Sequence, residues 1–123
     1  MIKGGNASIY VSDMDKAIHF YSEILGLKLR LRMASSWAEI DAGGGLTIGL
    51  HPANPPETVT PGVEGSVNLE LNTTVPIETV VKALVEKGVR FEGPIASYPN
   101  VKIAKFRDPD SNIVVLAEAI ATT

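Results

Sequence analysis

ASIYVSDMDKAIHFYSEILGLKL, residues 7–29, reads as a strand, a helix and the opening of a second strand. Ala7 to Val11 has strand character. Ser12-Asp13-Met14-Asp15 follows as a capping-box-like helix start, with an acid three places after the serine. Ala17, Ile18, Tyr21, Ile24 and Leu25 recur at helical spacing, and Gly26 stands where a helix would stop. Beyond it, Leu29, Leu31 and Met33 alternate with Arg30 and Arg32, the period of a strand. Trp37 to Asp41 alternates in the same way. Gly43-Gly44-Gly45 marks a turn, and Leu46 to His51 supplies another strand.

The plan then repeats. Val67, Leu69 and Leu71 open a second strand–helix pair, with Pro76 suited to a first helical turn. Ile77, Val80, Val81, Leu84 and Val85 form an amphipathic stripe that Gly88 closes. Val89 to Phe91, Val101 to Phe106 and Asn112 to Ala117 are the remaining predicted strands, the last two joined by the turn Asp108-Pro109-Asp110-Ser111-Asn112. Ile9 and Leu69 lie 60 residues apart and Gly26 and Gly88 lie 62 apart, the spacing of a duplication with a slightly longer second helix. The expected modules are residues 5–51 and 66–120. The stretch 52–65, with prolines at 52, 55, 56 and 61, is their linker.

Composition narrows the function classes. The chain has 123 residues, 45% hydrophobic and 20% charged, as expected for one globular domain. The net charge of −3 and the scattered Lys and Arg give no footprint for nucleic acid. With no cysteine there is no disulfide, thiol nucleophile or zinc–thiolate site. The N-terminal residues lack a long apolar core and no run approaches a membrane span, so the expected address is the cytoplasm, with no membrane partner.

Three segments, MDKAIHFYSEILGLKL (14–29), VEKGVRFEGP (85–94) and FRDPDSNIVVLAE (106–118), together with the paired plan, resemble the vicinal-oxygen-chelate superfamily. That group includes glyoxalase I, extradiol dioxygenases and bleomycin-resistance proteins. The last segment normally reads DPDGN, so Ser111 departs from the pattern. The resemblance implies an α+β fold of two βαβββ modules in tandem. Their curled sheets would form a cup-shaped ligand cavity, with helices on the convex face. It also implies metal-ligand places near the start of each module's first strand and in its last strand. Those places fall at Asn6, Gly49, Ser66 and Val115. Gly and Val have no donor side chain and Asn and Ser are weak ligands, so the expected set of metal ligands and cofactors is none.

Strand alternation from those places assigns two faces. Asn6, Ser8, Tyr10, Thr47, Gly49, His51, Ser66, Asn68, Glu70, Ile113, Val115 and Ala117 share one. Ala7, Ile9, Val11, Ile48, Leu50, Val67, Leu69, Leu71, Val114 and Leu116 share the other, which is wholly apolar and suits a helix-covered core. Trp37, Glu39 and Asp41 join the mixed face, and Phe106 is a further candidate there. Trp37 serves either as a stacking anchor for a ligand or as a core or interface aromatic. Glu39 and Glu70 are candidate general acids or bases if buried; otherwise they are rim charges, or ion pairs with Arg30 or Arg32. His51 is a candidate proton shuttle or an exposed loop-start residue. His19 is expected to face solvent. Asn68, read as mid-strand and buried, needs a hydrogen-bond partner.

Four functions follow. A binding protein would sequester a small molecule in the cup through Asn6, Ser8, Tyr10, Trp37, Gly49, Ser66, Asn68, Phe106 and Val115. A metal-free isomerase, lyase or cyclase would use Glu39, Glu70 or His51 as acid or base. A metal-dependent lyase or dioxygenase would need displaced ligands. An interaction domain would leave the cup unused. The expected partners are a small-molecule ligand and a second copy of the chain in a homodimer.

Overall fold

A computed structural model describes residues 1, 3, 5–53, 60–63 and 67–120. The chain divides into two compact units, Met1–Val63 and Glu64–Thr123. Each unit is one βαβββ module, and the fold is α+β. Among the described residues no helix is long and apolar enough to cross a membrane.

The first unit runs β1 (Ala7–Val11), α1 (Met14–Ile18) with a π-helical extension (His19–Ile24), β2 (Lys28–Met33), β3 (Trp37–Gly43) and β4 (Leu46–Pro52). Its sheet has the order β1-β4-β3-β2, with β1 parallel to β4 and the other pairs antiparallel. The helix cap lies one residue later than the sequence predicts: Asp13, not Ser12, holds the extended N-cap conformation and accepts the amide of Lys16 at 3.1 Å. Asp15 instead pairs with Arg32 of β2 at 2.6 Å. The π-helical stretch, closed by the Leu25 amide on the Phe20 carbonyl at 2.9 Å, is a feature that 3.6-residue periodicity does not reveal. Ile9, Val11, Ala38, Ile40, Ile48 and Leu50 are each at most 1% exposed and form the covered face of the sheet. Met14, Ala17, Ile18, Phe20 and Tyr21 are the buried residues of the helix packed against it. Burying each large aliphatic side chain contributes about 1.5–3 kcal/mol, so this face is the main stabilising element of the unit. His19 points to solvent.

The second unit runs β5 (Asn68–Asn72), α2 (Ile77–Glu86), β6 (Ala96–Ser97), β7 (Val101–Arg107) and β8 (Ile113–Ala119), in the sheet order β5-β8-β7-β6. The strand expected at Val89–Phe91 does not form. Val89 is drawn into a Schellman close of α2: its amide reaches the Leu84 carbonyl at 3.0 Å, and the Gly88 amide reaches Val85 at 3.0 Å. Gly88 has φ +92°, which favours glycine there. Phe91 makes a single bridge to Phe106, and the edge strand forms later, at Ala96–Ser97. The stripe on α2 is narrower than its sequence predicts, since Val85 is exposed while Ile77 and Leu84 are buried. The amide of Ile77 is capped from β8 by the Glu118 carboxylate at 3.0 Å. Lys102 bridges to Glu78 at 2.9 Å.

The turn between β7 and β8 is built on Asp108, whose side chain ties Asp110 and Asn112. It places Ser111 at φ +68°, the left-handed region that a side chain disfavours. Ser111→Gly is therefore expected to stabilise the second unit by about 0.5–1 kcal/mol, read as a higher midpoint of thermal unfolding. A lower midpoint would show that the serine side chain supports the turn.

Candidate functional site

In the first unit the register keeps the two faces apart. Ser8 lies opposite Gly49 and Tyr10 opposite His51 across the β1–β4 pair, and Glu39 lies opposite Gly49 across β3–β4. These residues occupy the face that the helix leaves open. Gly49 is buried, and an added Cβ there would lie 2.8 Å from Cζ2 and 3.1 Å from Cζ3 of Trp37. The indole is thus laid across the β4 backbone, and glycine inside this strand makes that approach possible.

Trp37 is fixed at both ends. Its Nε1 donates to Glu39 Oε2 at 2.9 Å, and the second carboxylate oxygen accepts from Arg30 at 3.1 Å. The indole N–H, and after it the Arg30 guanidinium, hold the Glu39 carboxyl below the usual carboxylate range. His51 stands edge-on between two rings, 5.0 Å from Tyr10 and 6.3 Å from Trp37 between centroids. Its Nδ1 lies 2.9 Å from the Pro52 carbonyl, an acceptor only, so Nδ1 carries the hydrogen. In the neutral ring the lone pair is then on Nε2.

The edge strand β2 adds further groups, in an order that strict alternation does not give. Its register slips between Leu29 and Leu31, so Arg30 is an inserted residue. Beyond the slip, Leu31 lies opposite Glu39 and Met33 opposite Trp37, on the open face, while Arg32 lies opposite Ala38 on the helix side, where it meets Asp15. Leu31 and Met33 are 42% and 55% exposed, an apolar margin beside the indole.

A sequence profile of the Glyoxalase/Bleomycin resistance protein/Dioxygenase superfamily matches residues 5–116. The chain belongs to this superfamily. Among solved structures it is similar to TnmS3, an antibiotic binding protein from Streptomyces sp. CB03234, with a TM-score of 0.79, 28% identity and 98% of each chain covered. It is also similar to a glyoxalase/bleomycin resistance protein from the same organism, with a TM-score of 0.72, 32% identity, 91% of this chain and 98% of that one. A curated relative, Virulence protein STM3117 of Salmonella typhimurium, is 29% identical over 117 residues, 89% of this chain and 79% of that protein.

Superfamily membership raises the question of a metal, and of the four places that the resemblance implies, the three that are described do not fit one. Gly49 has no donor, and the space above it is taken by the indole. Val115, 3% exposed, presents only methyl groups. Asn6 is exposed ahead of β1, and Ser66 lies outside the described residues. Among the described residues no three His, Cys, Asp or Glu side chains converge.

The other predicted residues belong to the second unit. Glu70 and Lys105 flank Val115 on either side in the β5-β8-β7 register, as Ser8 and Glu39 flank Gly49 in the first. Asn68 is exposed and opens β5 rather than lying buried at its middle. Glu70 is exposed. Phe106 does not join the open face: it lies opposite Val114, is fully buried, and packs edge-on against Phe91 at 5.3 Å. Leu31 and Met33 are the open-face residues that sequence reasoning missed, while Arg30 was named there only as an ion-pair partner for Glu39. The glycine inside the β4 pattern was a usable signal for the close approach of Trp37.

The Trp37–Glu39 bond has a pH consequence. A carboxyl held low in the folded state contributes stability above the unfolded-state glutamate value, and that contribution is lost as pH falls through the lower folded value. On acidification, the emission of Trp37, the only tryptophan, is expected to change with a midpoint below that of an ordinary glutamate, and Arg30→Met should raise the midpoint. A midpoint at or above the ordinary value would contradict this arrangement.

Proposed function

We propose that this protein binds a small, flat organic molecule on the open face of its first sheet, without a metal, and sequesters it chemically unchanged. The observation that carries the reading is Trp37: a half-buried indole on the face opposite the helix, seated on Gly49 and pinned by Glu39. A tryptophan needed only for the core would lie on the other side. A ring held in this way offers a rigid stacking surface with little ordering left to lose on binding. Tyr10 and His51 extend the aromatic surface, and Leu31 and Met33 border it. Likeness to an antibiotic binding protein supports a ligand of this kind.

The acid–base alternative is weaker for two of its three residues. Glu39 has both oxygens engaged and a lowered pKa, which makes it a poor proton acceptor near neutrality, and Glu70 is exposed. One observation favours a second reading as a metal-free isomerase or lyase: the His51 tautomer leaves Nε2 able to take a proton. Incubation with bleomycin and with flat aromatic compounds, in buffer containing EDTA, separates the two. Quenching of Trp37 with the compound recovered intact supports sequestration. A compound altered by the wild type and left intact by His51→Gln supports the enzyme. An unchanged Trp37 signal throughout the series contradicts both. We also propose that the protein works as a homodimer, for which light scattering after size-exclusion chromatography is the check; a monomeric mass would contradict it.

A further inference from the structure

We propose that the ligand is an aromatic acid, whose ring system lies on Trp37 and whose anionic group is held by Arg30. The inference rests on the binding reading above and names the ligand class of that same face. Its first support is the register slip in β2. The pairing of Leu29 with Ile40 sets Arg30 beside Glu39, and the slip then brings Leu31 and Met33 onto the same side as the indole. A cation and an apolar border thus reach the same face through one backbone irregularity, the way bulges re-aim side chains near binding sites.

The second support is the state of the charges on that face. A cationic ligand would have to share Glu39 with partners already in place. Both oxygens of Glu39 already accept hydrogen bonds, from Trp37 and from Arg30. Asp41, the other carboxylate of β3, is turned to the amide of Gly43 at 2.8 Å. Arg30 keeps most of its donors uncommitted to Glu39. A guanidinium carries five N–H donors in a planar fork. Arg30 gives Glu39 a bond from one terminal nitrogen while its side chain stays 51% exposed. A planar carboxylate can take a two-pronged bond from the remaining donors, a geometry that an ammonium group cannot offer. Glu39 fixes the position of the guanidinium, so less ordering is needed on binding.

Arg32 supplies an internal control. It is two residues away on the same strand, but it faces the helix side and pairs with Asp15. Its removal changes the net charge by the same amount without touching the open face.

The test uses three probes that share one ring system: naphthoate, its neutral carboxamide, and the naphthylmethylammonium cation. Binding to the full chain is followed on the single indole N–H proton resonance of Trp37. Naphthoate is expected to bind about fivefold to tenfold more tightly than the carboxamide, as suits a charge-assisted bond at a half-exposed site. The cation should bind most weakly. Arg30→Gln should abolish the preference for the acid while the carboxamide still binds, and Arg32→Gln should preserve it. Equal affinity for all three probes, or tightest binding of the cation, would overturn the aromatic-acid assignment and leave stacking on Trp37 standing. A resonance that no probe moves would overturn the stacking reading and this inference with it.

Discussion

Asp108→Ala is expected to lower the stability of the second unit by about 2–4 kcal/mol, more than any surface substitution elsewhere in the chain. The Asp108 side chain is buried at 5% exposure and accepts hydrogen bonds from Asp110 and Asn112. The Asp110 amide reaches Oδ1 at 2.9 Å, the Asn112 amide reaches Oδ1 at 2.8 Å, and the Asn112 side-chain amide reaches Oδ2 at 3.0 Å. Asn112 is itself 3% exposed, so alanine would take the Asp108 acceptor away from a buried backbone N–H and a buried side-chain amide. The turn also holds Ser111 in a strained conformation, which tight side-chain bonds must offset. A lower midpoint of urea unfolding at unchanged slope is the expected signature. Asp108→Asn, which keeps an acceptor at one oxygen, should lose about half as much. Stability within 0.5 kcal/mol of wild type for Asp108→Ala would show that the turn is held by its backbone alone, since that is roughly the range of neutral surface changes.

The second large effect is expected from Gly49→Ala. A methyl group at this position would press on the six-membered ring of Trp37. β4 lies between β1 and β3 and is paired on both sides, so its backbone has little freedom to retreat. The indole must move, and its bond to Glu39 at 2.9 Å is then lost. The cost is about 1–3 kcal/mol in stability, the ordinary range for overpacking. Ligand affinity should fall at least about tenfold, because the stacking surface is displaced. A double-mutant cycle sharpens the test. In a Trp37→Ala background nothing occupies the space above position 49, and Gly49→Ala should become neutral or slightly stabilising, as alanine is in a strand interior. An equal loss in both backgrounds would place the effect in the strand itself and remove the Trp37–Gly49 contact from the account.

Much of this architecture was legible in the sequence because it follows from side-chain period. Ala7–Val11 forms the expected strand, and the apolar set Ile9, Val11, Ile48 and Leu50 falls on one covered face, because every second side chain shares a side. The duplicated plan was readable from the spacing of the helix-ending glycines Gly26 and Gly88. What escaped were irregularities of hydrogen bonding that leave no periodic trace. The bulge at Arg30 reverses the faces of every residue after it in β2, so Leu31 and Met33 could not be assigned to the open face without the pairing partners. Phe106 was assigned wrongly for want of the same information; its partner Val114 fixes it on the covered side. Val89 had the composition of a strand residue, but the helix close claimed its amide. For the candidate site, the aromatic members Trp37, His51 and Tyr10 were found by alternation. The Arg30–Glu39 ion pair was among the expectations, but the bond from the Trp37 indole to Glu39 and the packing of that indole on Gly49 depend on side-chain reach and were not.

The proposed binding face is tested most directly by mapping backbone and indole resonances while metal-free protein, kept in EDTA, is saturated with naphthoate. The largest shifts are expected on the Trp37 indole, Gly49, His51 and Leu31, with Ile9, Ile40 and Leu50 on the helix side nearly unmoved. Shifts centred on the helix-covered face or on the second unit, or a response of Trp37 that appears only when a divalent metal is supplied, would contradict it.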